Sequence, residues 1–129
     1  MRLLLVEDHS DTRELLASYL TGQGFVVDAT ANGLQALEHA ATSPPDVIVL
    51  DLLLPGLDGW SAAQRLKTHP STRHVPIVAV SAHAFPEDEA RAYDCGCDAF
   101  LAKPFAPPDI LQAIRRVHPR LSPARPSRP

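Results

Sequence analysis

Residues 46–59 read Asp46-Val47-Ile48-Val49-Leu50-Asp51-Leu52-Leu53-Leu54-Pro55-Gly56-Leu57-Asp58-Gly59. The run Val47 to Leu50 is β-branched or leucine throughout, with no polar alternation, and this predicts a strand buried on both faces. The apolar run stops at Asp51. Pro55, Gly56 and Gly59 then mark a turn before a new helical pattern, with Asp58 as its predicted N-cap. A strand buried on both faces needs a sheet covered by helices on each side, so this stretch sets the fold class and puts a carboxylate at the end of an inner strand.

Outward from this segment, similar short apolar runs occur at Leu3 to Val6, Phe25 to Ala29, Ile77 to Val80 and Ala99 to Leu101, each the length of a buried strand. Between them the apolar residues switch to helical spacing: Leu15, Leu16, Tyr19 and Leu20; Leu34, Leu37 and Ala41; Trp60, Ala63 and Leu66; Ile110, Leu111, Ile114 and Val117. Pro86 to Asp94 is the thinnest of these patterns, a predicted helix anchored by Ala90 and Tyr93. Asp11 with Glu14 predicts a capping pair, and Gly22 and Gly96 stand where helices should end. Trp60 is expected in the core. Strict alternation of strands and helices predicts a doubly wound α/β fold with a five-stranded parallel sheet and five helices.

A chain of 129 residues, 45% hydrophobic and 21% charged, is one globular domain. The net charge is −3. Residues 118–129 hold three arginines and no acid, so residues 1–117 carry 9 basic against 15 acidic side chains, or −6. That sign argues against general phosphate-backbone binding by the folded part, so no nucleic-acid partner is expected. The domain is assigned to residues 1–117, and residues 118–129, rich in Pro and Arg, are expected to be a disordered tail. No apolar run reaches the roughly 18 residues that span a bilayer. The start of the chain meets Glu7 and Asp8 instead of a cleavage site, which predicts a cytoplasmic protein without a membrane partner. Cys95 and Cys97 are spaced for neither a disulfide nor a full zinc site and read as ordinary thiols. His9 reads as a solvated loop residue, and the other histidines lack ligand spacing.

In doubly wound sheets the working residues gather beyond the carboxyl ends of the strands. Here those ends carry Glu7-Asp8, Asp51, Ser81 and Lys103-Pro104. Carboxylates within ~4–6 Å repel by roughly 3–4 kcal/mol per pair at an effective dielectric near 20. They call for a cation, and Mg²⁺ suits an oxygen donor set with one or two carboxylates and a phosphate oxygen. Lys103 would add a fixed positive charge for a phosphoryl oxygen and Ser81 a hydroxyl donor, leaving Asp51 as a nucleophile.

In order and spacing, Glu7-Asp8, Asp51 within Asp46 to Gly59, Ser81-Ala82 and Lys103-Pro104 resemble the receiver domain of response regulators, of the single-domain chemotaxis type. The resemblance runs from residue 2 to about residue 117. It implies a flavodoxin-like sheet of order 2-1-3-4-5 and a two-component phosphoacceptor, Asp51, that receives a phosphoryl group from a histidine kinase or a histidine phosphotransfer protein. It further implies Mg²⁺ held by Asp8, by Glu7 largely through water, by Asp51 and by the Leu53 backbone carbonyl. Ser81 and Lys103 correspond to the phosphate-sensing pair, and Phe100 to the aromatic that moves with Ser81. The Lys103-Pro104 peptide is expected cis. The downstream protein target is expected on the face of helix 4, strand 5 and helix 5. Glu7 stands where Asp is commoner and Ser81 where Thr is commoner. Leu53 and His83, two residues past Asp51 and Ser81, are expected at the pocket mouth.

Two further readings use the same residues differently. A receiver fold can dock partners without phosphorylation; loss of a pocket residue would be its sign, and every pocket residue is present. A small Mg-dependent aspartyl-phosphate phosphatase of the haloacid-dehalogenase type wants an Asp-x-Asp pair, and Asp51-Leu52-Leu53 lacks the second acid. A flavodoxin-like cofactor binder would want a phosphate-cradling first loop, where Glu7-Asp8-His9 would repel phosphate unless a metal intervened. Self-catalysed phosphoryl transfer and slow autodephosphorylation are the only enzymatic activity expected. With no output domain after residue 117, the protein would act on other proteins or be part of a longer chain.

Overall fold

A computed structural model describes residues 1–118, and the expected tail lies outside the described residues apart from His118. Ten elements alternate along the chain: β1 (Arg2–Val6), α1 (Ser10–Gly22), β2 (Val26–Thr30), α2 (Gly33–Thr42), β3 (Val47–Asp51), α3 (Gly59–Thr68), β4 (Ile77–Ser81), α4 (Pro86–Asp94), β5 (Ala99–Ala102) and α5 (Pro107–Val117). All strand pairs are parallel and the order is β2-β1-β3-β4-β5. The sheet is therefore doubly wound, with its reversal of direction between β1 and β3.

Side chains alternate between the two faces of a strand, and two separate cores follow from that alternation. Leu4, Val6, Ile48, Leu50, Ile77 and Ala79 point to one face and pack with Ala36, Ala40, Ala63, Leu66 and Ala92 from α2, α3 and α4. Leu3, Leu5, Val47, Val49, Val78 and Val80 point to the other and pack with Leu16, Leu20, Ile110 and Ile114 from α1 and α5. β3 is buried at every position, as a central strand covered on both sides must be. The edge strand β2 leaves Val26 59% exposed.

The helices sit where expected, but several anchors differ. Leu15, Leu34 and Tyr93 are exposed, as are Ala41 and Ala90. The inner face of α2 is made by Gly33, Ala36 and Ala40, and that of α4 by Ala92 alone. Small residues let these helices lie close to the sheet, while in α2 Leu34 falls on the solvent side and Leu37 packs partly buried at the edge of the core. The Asp11 and Glu14 capping pair does not form: α1 starts at Ser10, its N-cap is His9, and no side chain caps it from that position. The Glu7 carboxylate instead accepts the backbone N–H of the N-cap residue, His9, at 3.1 Å. Asp58 caps α3 as expected, accepting the Ser61 N–H at 2.8 Å. Gly96 ends α4 with φ +101°, and the Cys97 N–H returns to the Ala92 carbonyl at 3.0 Å, a left-handed closure that glycine adopts without strain. Trp60 is buried, with the Arg91 guanidinium 4.4 Å above its ring.

Both cysteines are free thiols. Burial, with smaller contributions from Cys95 and Asp98, pushes the Cys97 thiol up to about 12, and burial also raises that of Cys95. Near neutral pH neither is a thiolate in quantity. Labelling with a thiol reagent is therefore expected to count both cysteines only after denaturation in guanidinium, with Cys97 silent in the native protein; fast native labelling at Cys97 would contradict its burial.

Candidate functional site

The alternation that builds the cores also assembles the site. On β1 and β3, Leu3, Leu5, Val47 and Val49 face α1 and α5, and two further steps bring Glu7 and Asp51 to that same side at the strand ends. β5 ends beside β4, where Lys103 N–H donates to the Ser81 carbonyl at 2.9 Å. The lysine then reaches back across the sheet. Its Nζ donates to Glu7 Oε1 at 2.8 Å and to Asp51 Oδ2 at 2.9 Å. Glu7 is 1% exposed and Asp51 3%, so one ammonium bridges two nearly dry carboxylates. Burial works against the charged amine, but its hydrogen bonds to Glu7 and Asp51, with the attraction of their charges, outweigh that and hold the Lys103 pKa above its ordinary value.

Each carboxylate has a second anchor. Asp51 Oδ1 accepts the Leu53 N–H at 2.9 Å, and Glu7 Oε2 accepts the His9 N–H. Both are therefore fixed in orientation before any ligand arrives. Asp8 differs: among the described residues its Oδ1 is buried and has no hydrogen-bond partner. The nearest cationic candidate is His9 Nδ1 at 3.6 Å. Glu7, Asp8 and His9 offer ligand atoms within 4.8 Å of one another. A buried carboxylate oxygen without a partner is costly, and a divalent cation would satisfy it. The donor set fits Mg²⁺.

Ser81 and Phe100 belong to the opposite face, with Ile77 and Ala79. Ser81 is fully buried, and its Oγ accepts the His83 N–H at 3.0 Å. Phe100 pairs in register with Ala79 and packs half-buried against the core under α2, α3 and α4. The methyl-sized neighbour leaves the ring free of a bulky side chain on β4. The Lys103-Pro104 peptide is cis. Leu53 is half-buried and His83 exposed, each two residues beyond a site residue. Thus Glu7, Asp51 and Lys103 are in direct contact, Asp8 lies next in the chain, and Ser81 and Phe100 lie on the opposite face of the sheet.

Two contacts had no sequence signal. The bridge from Lys103 to Glu7 joins residues 96 apart. Arg13 in α1 donates to the carbonyls of Glu7 at 2.9 Å and Asp8 at 3.4 Å. Among the described residues, no helix is long and apolar enough to cross a membrane.

Residues 3–115 match the sequence profile of the response regulator receiver domain. The chain is 34% identical over 113 residues to the polar-differentiation response regulator DivK of Brucella anthropi, covering 88% of this chain and 92% of that one. It is 35% identical over 115 residues to the transcriptional regulatory protein HprR of Escherichia coli, covering 89% of this chain but only 50% of that protein. The chain thus spans half the length of that relative. Among solved structures, the receiver domain of a sensor histidine kinase of Pseudomonas aeruginosa superposes with TM-score 0.84 at 32% identity, covering 92% of this chain and 97% of that one; it holds a magnesium ion in its active-site cleft. The chemotaxis response regulator CheY4 of Vibrio cholerae superposes with TM-score 0.85 at 27% identity, covering 90% and 97%.

Proposed function

The chain belongs to the response regulator receiver domain family of two-component systems, and from that premise we propose that it is a phosphoacceptor switch, phosphorylated on Asp51 by a histidine kinase or a histidine phosphotransfer protein. The observation that carries the reading is the bridge of Lys103 between the buried carboxylates of Glu7 and Asp51, next to the bare buried oxygen of Asp8. A nucleophile, a fixed cation and unused metal-binding capacity meet at one strand end. The Asp-x-Asp pair of an aspartyl-phosphate phosphatase is absent from this loop, so the phosphatase alternative has no support in the site.

Asp8, Asp51 and the Leu53 carbonyl would hold Mg²⁺, with Glu7 acting largely through water. Bound there, the ion would offset negative charge on a transferring phosphoryl group. The remaining work falls to the chain. The Leu53 N–H and Lys103 hold the Asp51 carboxylate so that one oxygen can attack phosphorus in line with the leaving nitrogen of a phosphohistidine. The new P–O bond forms as the P–N bond breaks, and the imidazole keeps the electron pair and takes a proton. Lys103 and Ser81 then donate to phosphoryl oxygens. Water attack on the acyl phosphate later returns the carboxylate and inorganic phosphate.

For Ser81 to donate to the phosphoryl group it must turn from its present contact with the His83 N–H. That movement would empty space beside Ala79 into which Phe100 can turn, changing the α4, β5 and α5 face that protein partners are proposed to read. Differential contacts of a few kcal/mol suffice to shift such a two-state population. At the mouth, Leu53 and His83 would limit water access to the acyl phosphate. Exchange of either is expected to change the dephosphorylation rate severalfold while phosphorylation persists; unchanged decay in both variants, followed by phosphate release, would remove them from that role.

The deciding test is incubation of the protein with acetyl phosphate or beryllofluoride and Mg²⁺, read by intact mass and Trp60 fluorescence. One phosphoryl group or fluoride adduct is expected, abolished by EDTA and absent from Asp51→Asn. No adduct in a wild-type protein that binds Mg²⁺ would favour docking without phosphorylation.

A further inference from the structure

The turn between β1 and α1 carries the two acids of the pocket, and its backbone is fastened by one residue that the proposed chemistry does not use. Arg13 accounts for three consecutive carbonyls. Its Nη1 donates to Glu7 O at 2.9 Å and, more weakly, to Asp8 O at 3.4 Å; its own N–H donates to His9 O at 2.9 Å. The N–H groups of the turn are held too: that of Glu7 donates to the Thr30 carbonyl at 3.1 Å, and that of His9 to the Glu7 carboxylate. What the turn leaves unsatisfied is Asp8 Oδ1, the atom a cation needs.

We propose that Arg13 is a positioning residue of the acidic pocket, which holds the Glu7 and Asp8 carboxylates in the geometry that takes up a divalent cation. This rests on the reading of the pocket as a Mg²⁺ site. Both carbonyls are reached by the one nitrogen Nη1, whose two N–H groups can point at neighbouring acceptors. Among the described residues no ion pair within 4.0 Å joins Arg13 to a carboxylate. Its charge therefore leaves the metal-binding oxygens free. Two effects oppose each other here. A nearby cation repels Mg²⁺, so removal of Arg13 by itself would tighten binding; loss of the clamp lets Asp8 turn to solvent and weakens it. Arg13 fixes the main chain on which the Asp8 carboxylate is carried, and Asp8 Oδ1 is buried without a hydrogen bond, so positioning is expected to outweigh repulsion.

The experiment is Mg²⁺ binding by calorimetry, and Mn²⁺ binding by electron paramagnetic resonance, without phosphodonor, in wild type, Arg13→Gln and Arg13→Lys, with the thermal midpoint in EDTA as the folding control. Both variants are expected to bind about tenfold more weakly, Arg13→Lys somewhat less so, as found when groups that orient metal ligands are lost. In phosphorylation by acetyl phosphate, the Mg²⁺ concentration for half-maximal rate should rise by the same factor while the rate at saturating metal changes less than about twofold. A general loss of fold would instead lower the saturated rate and the thermal midpoint together. Tighter binding in Arg13→Gln, or unchanged affinity in both variants, would overturn the proposal with the receiver reading intact. A wild-type protein that binds neither metal would overturn both.

Discussion

Gly59→Ala is expected to destabilise the protein by about 3 kcal/mol and to slow phosphorylation of whatever folded protein remains more than tenfold. A Cβ at this position would lie 2.3 Å from Leu52 Cα, 2.4 Å from the Asp51 carbonyl oxygen and 3.0 Å from Leu52 C. All three are backbone atoms at the end of β3, so no side-chain rotation relieves the contact. The Gly59 N–H also donates to the Leu52 carbonyl at 3.0 Å, which holds the start of α3 against the strand. To admit a methyl group, either α3 withdraws from a core containing Trp60, Ala63 and Leu66 or the strand end shifts, carrying Asp51 with it. Overpacking against movable side chains costs about 1–3 kcal/mol, and immovable backbone puts this site at or above that range. Urea unfolding would register the change as a midpoint lowered by ~1–2 M. Gly22→Ala is the matched control, since nothing lies within 4 Å of its added Cβ, and it should fall within about 1 kcal/mol of wild type. A Gly59→Ala protein equal to that control would mean that the Asp51 loop yields freely.

The legibility of this fold from its sequence varied with the kind of interaction. Strand positions were readable because a central parallel strand demands an unbroken apolar run, and Val47 to Leu50 is one. Helix orientation was less readable because size misled: Leu34 suggested an inner face for α2, but Ala36 and Ala40 make it. Alanines carry little weight in a hydrophobic count, yet they decide how closely a helix approaches a sheet. The pocket residues were readable as a set of strand-end groups, but the pairing of Lys103 with Glu7 was not, since it depends on how far the β5 end reaches across two strands. Arg13 left no signal because its partners are carbonyl oxygens, which every residue has. Asp11 and Glu14 fail to cap α1 for another reason: the helix begins ahead of Asp11, at Ser10, which puts Asp11 inside the first turn and His9 at the N-cap.

Lys103→Met should separate the structural and chemical duties of the lysine. In the native protein its Nζ lies 2.8 Å from Glu7 Oε1 and 2.9 Å from Asp51 Oδ2, so those carboxylate oxygens are themselves under about 6 Å apart, where like charges repel by roughly 3 kcal/mol at an effective dielectric near 20. The ammonium cancels that repulsion. Because the Lys103 pKa is raised above its ordinary 10.5, its stabilising contribution is complete below that value and is lost only as pH climbs through the folded pKa, so it is fully present at neutral pH. Methionine keeps much of the stem and none of the charge. In EDTA the variant is therefore expected to lose roughly 2–3 kcal/mol, read as a thermal midpoint lower by about 10 °C. Mg²⁺ should return most of that loss, because a divalent cation replaces the missing charge, and it should raise the midpoint of the variant more than that of wild type. Phosphorylation should stay down by roughly a hundredfold even in saturating Mg²⁺, since the developing charge on the phosphoryl oxygens lacks its fixed donor. Equal stability of variant and wild type in EDTA would mean that water already screens the two carboxylates and that the bridge holds geometry alone. Recovery of stability together with phosphorylation in Mg²⁺ would assign the charge compensation to the metal and leave Lys103 without a role in transfer. Recovery of stability without phosphorylation is the outcome that fits one ammonium serving two ends: holding apart the acids of the resting pocket, and meeting the phosphate when it arrives.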